Sequence, residues 1–152
     1  MYSVAGYGRV IADEGRTRAY SRALRAAICR DSIVLDIGAG TGILSLLACQ
    51  YGARKVYAVE PSSAIGVAQQ AAHANGFADR IECIQALSTE IILREKADVI
   101  VSDLRGVLPL FGQHLPSIID ARRRLLAPEG NLIPKRDVLW AAVVETLNIT
   151  IR

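Results

Sequence analysis

Three carboxylates in this chain stand where short apolar runs end. Asp36 lies near the end of Ser32-Ile33-Val34-Leu35-Asp36-Ile37, Glu60 follows Lys55-Val56-Tyr57-Ala58-Val59, and Asp103 follows Ala97-Asp98-Val99-Ile100-Val101-Ser102. Three glycines on alternate positions, Gly38, Gly40 and Gly42, come directly after the first run. A carboxylate at a strand end can accept two hydrogen bonds from a ribose diol. A glycine-rich turn lets a ligand approach bare backbone, and a helix starting behind it offers unpaired N–H groups and a positive dipole end. This combination suits a nucleoside-bearing ligand.

The glycine spacing separates two ligand classes. A dinucleotide fingerprint requires Gly-x-Gly-x-x-Gly, with the last glycine admitting the helix close to the sheet. Here that last position is Ile43, and the third glycine falls one residue early at Gly42. A dinucleotide-dependent oxidoreductase is therefore disfavoured.

The elements that position these residues follow from periodicity. Arg16 to Cys29 carries Tyr20, Leu24, Ala27 and Ile28 on one face and predicts a helix, while residues 2–12 suggest a short helix broken near Gly6 and Gly8. Strands are predicted over 33–37, 55–59, 81–86, 97–102 and 131–134, with a last apolar strand within 138–144. Helices are predicted over 41–51, from Ser62 or Ser63 to Asn75-Gly76, and over about 115–126. Strands alternating with helices mean βαβ units, hence an α/β, doubly wound and mostly parallel sheet. In such a sheet the carboxyl ends of the strands converge on one ligand-binding edge, which collects Asp36, Glu60, Ser88 and Asp103.

Composition narrows the class. The chain has 152 residues and 51% hydrophobic content, enough for one domain: an N-terminal helical segment over 1–30, a core over 31–136 and a terminal strand over 137–152. No apolar run approaches the length of a membrane span, and the N-terminus lacks the basic lead-in of a signal peptide. Three scattered cysteines, Cys29, Cys49 and Cys83, read as buried free thiols in a reducing compartment, so a cytoplasmic location is expected. With two histidines and no ligand spacing, no metal site is expected. A net charge of +3 carries no nucleic-acid signal, and Arg18, Arg22 and Arg25 on one helix face read as a solvated surface.

The string Asp36-Ile37-Gly38-Ala39-Gly40-Thr41-Gly42, with an acid closing the next strand at Glu60, resembles motif I of the class I S-adenosylmethionine (SAM) methyltransferases. The resemblance narrows further. Asp13-x-x-Arg16-Thr17-x-x-Tyr20, Gly52-Ala53-x-x-Val56-Tyr57-Ala58-Val59-Glu60, Ser88-Thr89-Glu90 and Leu126-Ala127-Pro128-Glu129-Gly130 are similar to segments of the protein arginine methyltransferases. The resemblance runs over about residues 7–145. It implies a Rossmann-like methyltransferase fold and SAM as cofactor, with S-adenosylhomocysteine (SAH) as product. By the same resemblance Arg16 pairs with the methionine carboxylate, Asp36 lies near the methionine part, and Gly38 and Gly40 line its channel. Ala39, Gly42, Ile43, Leu44 and Pro61 join the cofactor set. Glu60 holds the ribose, Leu87 and Ser88 frame the adenine, Tyr7 helps close the site, and His114 and Ser117 approach from beyond the fourth strand.

The departures concern the acceptor. The family grips a guanidinium with two glutamates. Here the first place holds Asp103, one methylene shorter, and the second holds Gly112, while Arg105 adds a like charge. Asp103 is thus the candidate catalytic residue, orienting an N or O acceptor on a protein or small molecule, and a SAM-binding module without chemistry is the alternative. The family's C-terminal β-barrel segment is not found in these 152 residues. An apolar stretch at 138–144 is therefore expected to be covered by self-association or by a further domain.

Overall fold

A computed structural model describes residues 4–104 and 112–143. The elements are α1 (Val4–Ala12), α2 (Glu14–Ala27), β1 (Ile33–Ile37), α3 (Ile43–Gln50), β2 (Lys55–Val59), α4 (Ile65–Ala74), β3 (Ile81–Ile84), β4 (Ala97–Ser102), α5 (His114–Arg124) and β5 (Leu126–Ile133). The sheet has five strands in the order β3-β2-β1-β4-β5, and every pairing is parallel. The order reverses direction between β1 and β4, so the gap above their carboxyl ends is the switch point where such sheets bind ligands.

β1 is buried along its whole length because both of its faces are covered. Val34 joins a core with Val56, Ala58, Val99 and Val101 under α2, α3 and α4. Ile33, Leu35 and Ile37 point the other way, into a core closed by Ala121 and Leu125 from the α5 side and by Ile91. This two-sided burial explains why the strands read as continuous apolar runs rather than alternating ones. Asp36 takes the face of Val34, toward α3, and is the one charged side chain carried into the middle of the sheet by β1.

Several boundaries differ from the sequence expectation. α1 runs unbroken through Gly6 and Gly8, and Asp13 then separates it from α2 by capping: its side chain accepts the Arg16 N–H at 3.0 Å. β3 stops at Ile84, two residues short, since Gln85 leaves the sheet and donates to the Pro61 carbonyl at 3.4 Å. β5 starts at Leu126, with a register shift that passes from Ala97 opposite Leu126 to Val99 opposite Asn131. The Pro128-Glu129-Gly130 turn signal marks that bulge rather than the strand's start.

Two expectations are corrected. Residues 138–143 form no strand and are exposed, with Trp140 at 91% exposure, and among the described residues no strand pairs with them; Val144 lies outside the described residues. Of the cysteines only Cys49 is buried. Cys83 is half-buried, and Cys29 is exposed in the turn after α2, where its N–H donates to Ser32 Oγ at 2.9 Å. The arginines at 18, 22 and 25 are exposed, as a solvated face requires. Among the described residues no helix is long and apolar enough to cross a membrane, and no cluster of metal-ligating side chains occurs.

Candidate active site

The glycine loop is built by β1 and held by β2. The N–H groups of Gly38 and Ala39 both donate to the Val59 carbonyl, at 2.8 and 3.0 Å, so the loop turns over the end of the neighbouring strand. Gly42 opens α3 with φ +84°, and a Cβ there would stand 2.7 Å from the Ala68 Cβ of α4. Glycine at this position thus answers both a left-handed backbone and a close helix approach. Gly40 has φ +54° and lies under the Tyr7 ring, which a Cβ would meet at 2.5 Å. α1 is therefore laid across the loop as a roof, with Tyr7 as the contact.

Glu60 ends β2 and is buried, at 8% exposure. One carboxylate oxygen accepts the Gly40 N–H at 3.1 Å and the other accepts the Ser62 N–H at 2.9 Å. An ionised carboxylate has about four lone-pair sites, so each oxygen keeps capacity toward the cleft beside it. The backbone fixes the acid in place and leaves it able to accept a diol.

The cleft, about 510 Å³, runs over the carboxyl ends of the strands from β3 to β4. Of the residues expected at the site it brings together Tyr7, Arg16, Gly38, Ala39, Gly40, Ile43, Leu44, Glu60, Pro61, Leu87, Ser88, Asp103 and Ser117. Three do not line it. Asp36 sits below the loop in the α3 core, Gly42 turns behind it against Ala68, and His114 is buried at the start of α5 while its neighbour Gln113 reaches the wall. Val10 and Ile11 from α1, and Leu104 after β4, also line the cleft, although nothing in their sequence context singles them out. Their only signal is apolarity, which does not distinguish a roof from a core.

A family model described as Ribosomal protein L11 methyltransferase (PrmA) matches residues 16–134. The chain belongs to this methyltransferase family. Protein arginine N-methyltransferase 6 of Danio rerio is 43% identical over 137 residues, which is 89% of this chain and 39% of the relative. Two solved structures are similar. The Trypanosoma brucei PRMT1 enzyme-prozyme heterotetrameric complex with AdoHcy has a TM-score of 0.76 and 38% identity over 80% of this chain and 39% of its own. Protein arginine methyltransferase 10 of Arabidopsis thaliana has a TM-score of 0.81 and 34% identity over 86% of this chain and 38% of its own. The chain spans about two-fifths of the length of the curated relatives it matches.

Within the methyltransferase cleft the two ends differ in character. At the β4 end Arg16 and Asp103 form a salt bridge, the Tyr20 hydroxyl donates to Asp103 Oδ1 at 2.9 Å, and Arg16 Nη1 donates to the Val10 carbonyl at 3.1 Å. The Arg16 guanidinium also lies over the Tyr20 ring, 5.4 Å from its centroid. At the β3 end Ala86, Leu87 and Ser88 form a largely apolar wall. Beneath the loop, Asp36 Oδ2 accepts from Ser45 Oγ at 2.7 Å, while Oδ1 has no hydrogen-bond partner among the described residues. Burial pushes the Asp36 carboxyl up to about 6, against the opposing Ser45 hydrogen bonds and with a small addition from Glu60.

Proposed function

We propose that this methyltransferase domain binds S-adenosylmethionine in the cleft and transfers its methyl group to an N or O acceptor, in the manner of the protein arginine N-methyltransferases it resembles. The observation that carries this reading is Glu60, whose two oxygens are pinned by the Gly40 and Ser62 N–H groups and which faces bare glycine backbone. A cleft of about 510 Å³ with an acid at its middle, a cation at one end and an apolar wall at the other fits a nucleoside carrying an amino-acid tail. The presence of AdoHcy in the Trypanosoma brucei relative supports the same reading.

Glu60 accepts from the ribose diol and Arg16 pairs with the amino-acid carboxylate. Tyr7, Val10 and Ile11 roof the cleft and exclude water. The bound sulfonium supplies an electrophilic methyl group. Asp103 orients the acceptor in line with it, chiefly a proximity effect. Gly112 brings no carboxylate, so a guanidinium acceptor would meet one acid rather than two. A protein acceptor, covering of the exposed 138–143 segment by a second copy or a further domain, and a cytoplasmic location complete the proposal.

The test is incubation of the chain with methyl-labelled SAM and a protein extract, alongside thermal shifts with SAH and NAD. Label transfer together with an SAH shift is expected. A shift with NAD alone overturns the reading, and SAH binding without label transfer to any acceptor reduces the chain to a binding module.

A further inference from the structure

The β3 wall of the cleft is not held by its own strand. After Ile84 the chain leaves the sheet and makes a tight turn in which the Glu90 N–H donates to the Leu87 carbonyl at 3.0 Å and the Glu90 carboxylate accepts the Leu87 N–H at 3.2 Å. Ile91 anchors the end of this turn in the core, and one side chain from the far end of α5 adds hydrogen bonds to its backbone. Arg124 donates to the Ser88 carbonyl at 3.1 Å and to the Ile91 carbonyl at 3.0 Å. Its guanidinium is aimed by Asp120, one helical turn earlier, which accepts from Nε at 2.7 Å and from Nη2 at 2.5 Å. A planar guanidinium gripped along one edge has its remaining donors fixed in direction, so the Ser88 and Ile91 carbonyls are set from the last turn of α5, whose first turns reach the cleft at Ser117. Arg124 is partly exposed, at 37%, like its exposed neighbours Arg122 and Arg123, and what sets it apart is its hydrogen bonds to the Ser88 and Ile91 carbonyls.

We propose that Arg124 is a positioning residue for the purine half of the cofactor cleft, clamping the Leu87–Ser88 turn through the Ser88 and Ile91 carbonyls. The inference rests on the cofactor reading above. Glu60, in the middle of the cleft, takes the ribose, and Arg16 and Asp103 occupy the β4 end, which suits the charged tail. The base then falls on the other side of Glu60, against Ala86, Leu87 and Ser88. Ser88 supplies one of the carbonyls that Arg124 holds and Leu87 directly precedes it, and a wall that must stack on a flat ring tolerates little displacement.

The experiment measures binding of SAH and of 5′-methylthioadenosine, which has the base and ribose but no amino-acid tail, by calorimetry well below every variant's melting temperature. Arg124→Met should lower affinity for both ligands by the same factor, about tenfold, with partial recovery in Arg124→Lys. Arg16→Met should weaken SAH and leave methylthioadenosine unchanged. Asp120→Asn, which keeps the arginine but loosens its aim, should give a smaller loss of the same pattern and serves if Arg124→Met fails to fold. A purely structural arginine would lower the melting temperature and leave both affinities intact, which overturns the proposal. So does a loss confined to SAH, or an unmodified chain that binds SAH but not methylthioadenosine. An unmodified chain that binds neither ligand overturns the cofactor reading itself.

Discussion

Asp103 and Arg16 are joined in a salt bridge at the β4 end of the cleft, and the Tyr20 hydroxyl fastens the same carboxylate at 2.9 Å. The two residues expected to serve different partners, one the acceptor and the other the cofactor tail, are therefore paired with each other, and Asp103 stands as a competitor for Arg16. A ligand carboxylate directed to Arg16 would have to share it with Asp103 and approach a like charge while doing so.

Neutralising that competitor has opposite effects on binding and turnover. Asp103→Asn should tighten SAH by about tenfold, the scale of one partly screened charge contact, and should lower methyl transfer by at least about tenfold. Calorimetry and a labelled-methyl assay check the two arms. If affinity and turnover fall together, Asp103 supports the cofactor rather than opposing its tail.

Ligand binding is expected to depend most on the Glu60 side chain. SAH at a hundredfold excess over its Kd should stabilise the unmodified chain by about 2.7 kcal/mol. Glu60→Gln keeps the volume but replaces one acceptor oxygen by a donor, next to either the Gly40 or the Ser62 N–H. The ligand-induced shift in Tm should shrink severalfold, and thermal melts with and without SAH read it directly.

The buried carboxyl of Asp36 makes stability depend on pH. Its folded value of about 6 stands above the ordinary 3.8, so between those values the folded chain holds a proton that the unfolded chain has lost. Its contribution is full below pH 3.8 and is lost as pH rises through 6, an effect of about 3 kcal/mol in magnitude. Asp36→Asn should remove this slope: relative to the variant, the unmodified chain loses stability from pH 4 to 7. Denaturant melts at about half-unit pH steps test the difference, and parallel curves would contradict it.

Arginine-glycine peptides should be poor acceptors for the unmodified chain, since Gly112 contributes no second acid. Asp103→Glu with Gly112→Glu should raise that activity. Gly112 is exposed, and among the described residues nothing lies within 4 Å of a new Cβ, but its φ of +69° places a side chain in the left-handed region. A stability cost of about 1 kcal/mol should therefore accompany the gain. Efficient turnover by the unmodified chain would show that one carboxylate is enough.

Trp140 is the sole tryptophan and is almost fully exposed, amid Val138, Leu139 and Val143. An apolar segment of this kind favours self-association or a covering partner. At low concentration its fluorescence should be that of a solvent-exposed indole, readily quenched by iodide. It should shift to the blue as light scattering reports a dimer. A single-chain mass at high concentration with unchanged emission would contradict this.

Much of the site is legible in the amino-acid sequence. Asp36, the glycines and Glu60 are tied to elements with strong local signals, and a parallel sheet must bring strand ends to one edge. The roof is not legible there: Tyr7, Val10 and Ile11 sit on a helix whose two glycines argue for a break, and only docking of Tyr7 onto Gly40 shows why the helix continues. The bulge in β5 is equally hidden, because a Pro-Glu-Gly run signals a turn whether or not pairing resumes on both sides of it.

The sequence by itself determined the α/β class, the strand ends that face the cleft and the family resemblance, because periodicity and glycine spacing act over a few residues. Tertiary structure alone decided which of those residues share a cavity and which merely adjoin it. It turned Asp36 away from the cleft into the α3 core, paired Arg16 with Asp103 across 87 positions, and brought Arg124 onto the turn at Ser88. Those contacts depend on how helices pack on two faces of one sheet, and no local pattern encodes that packing.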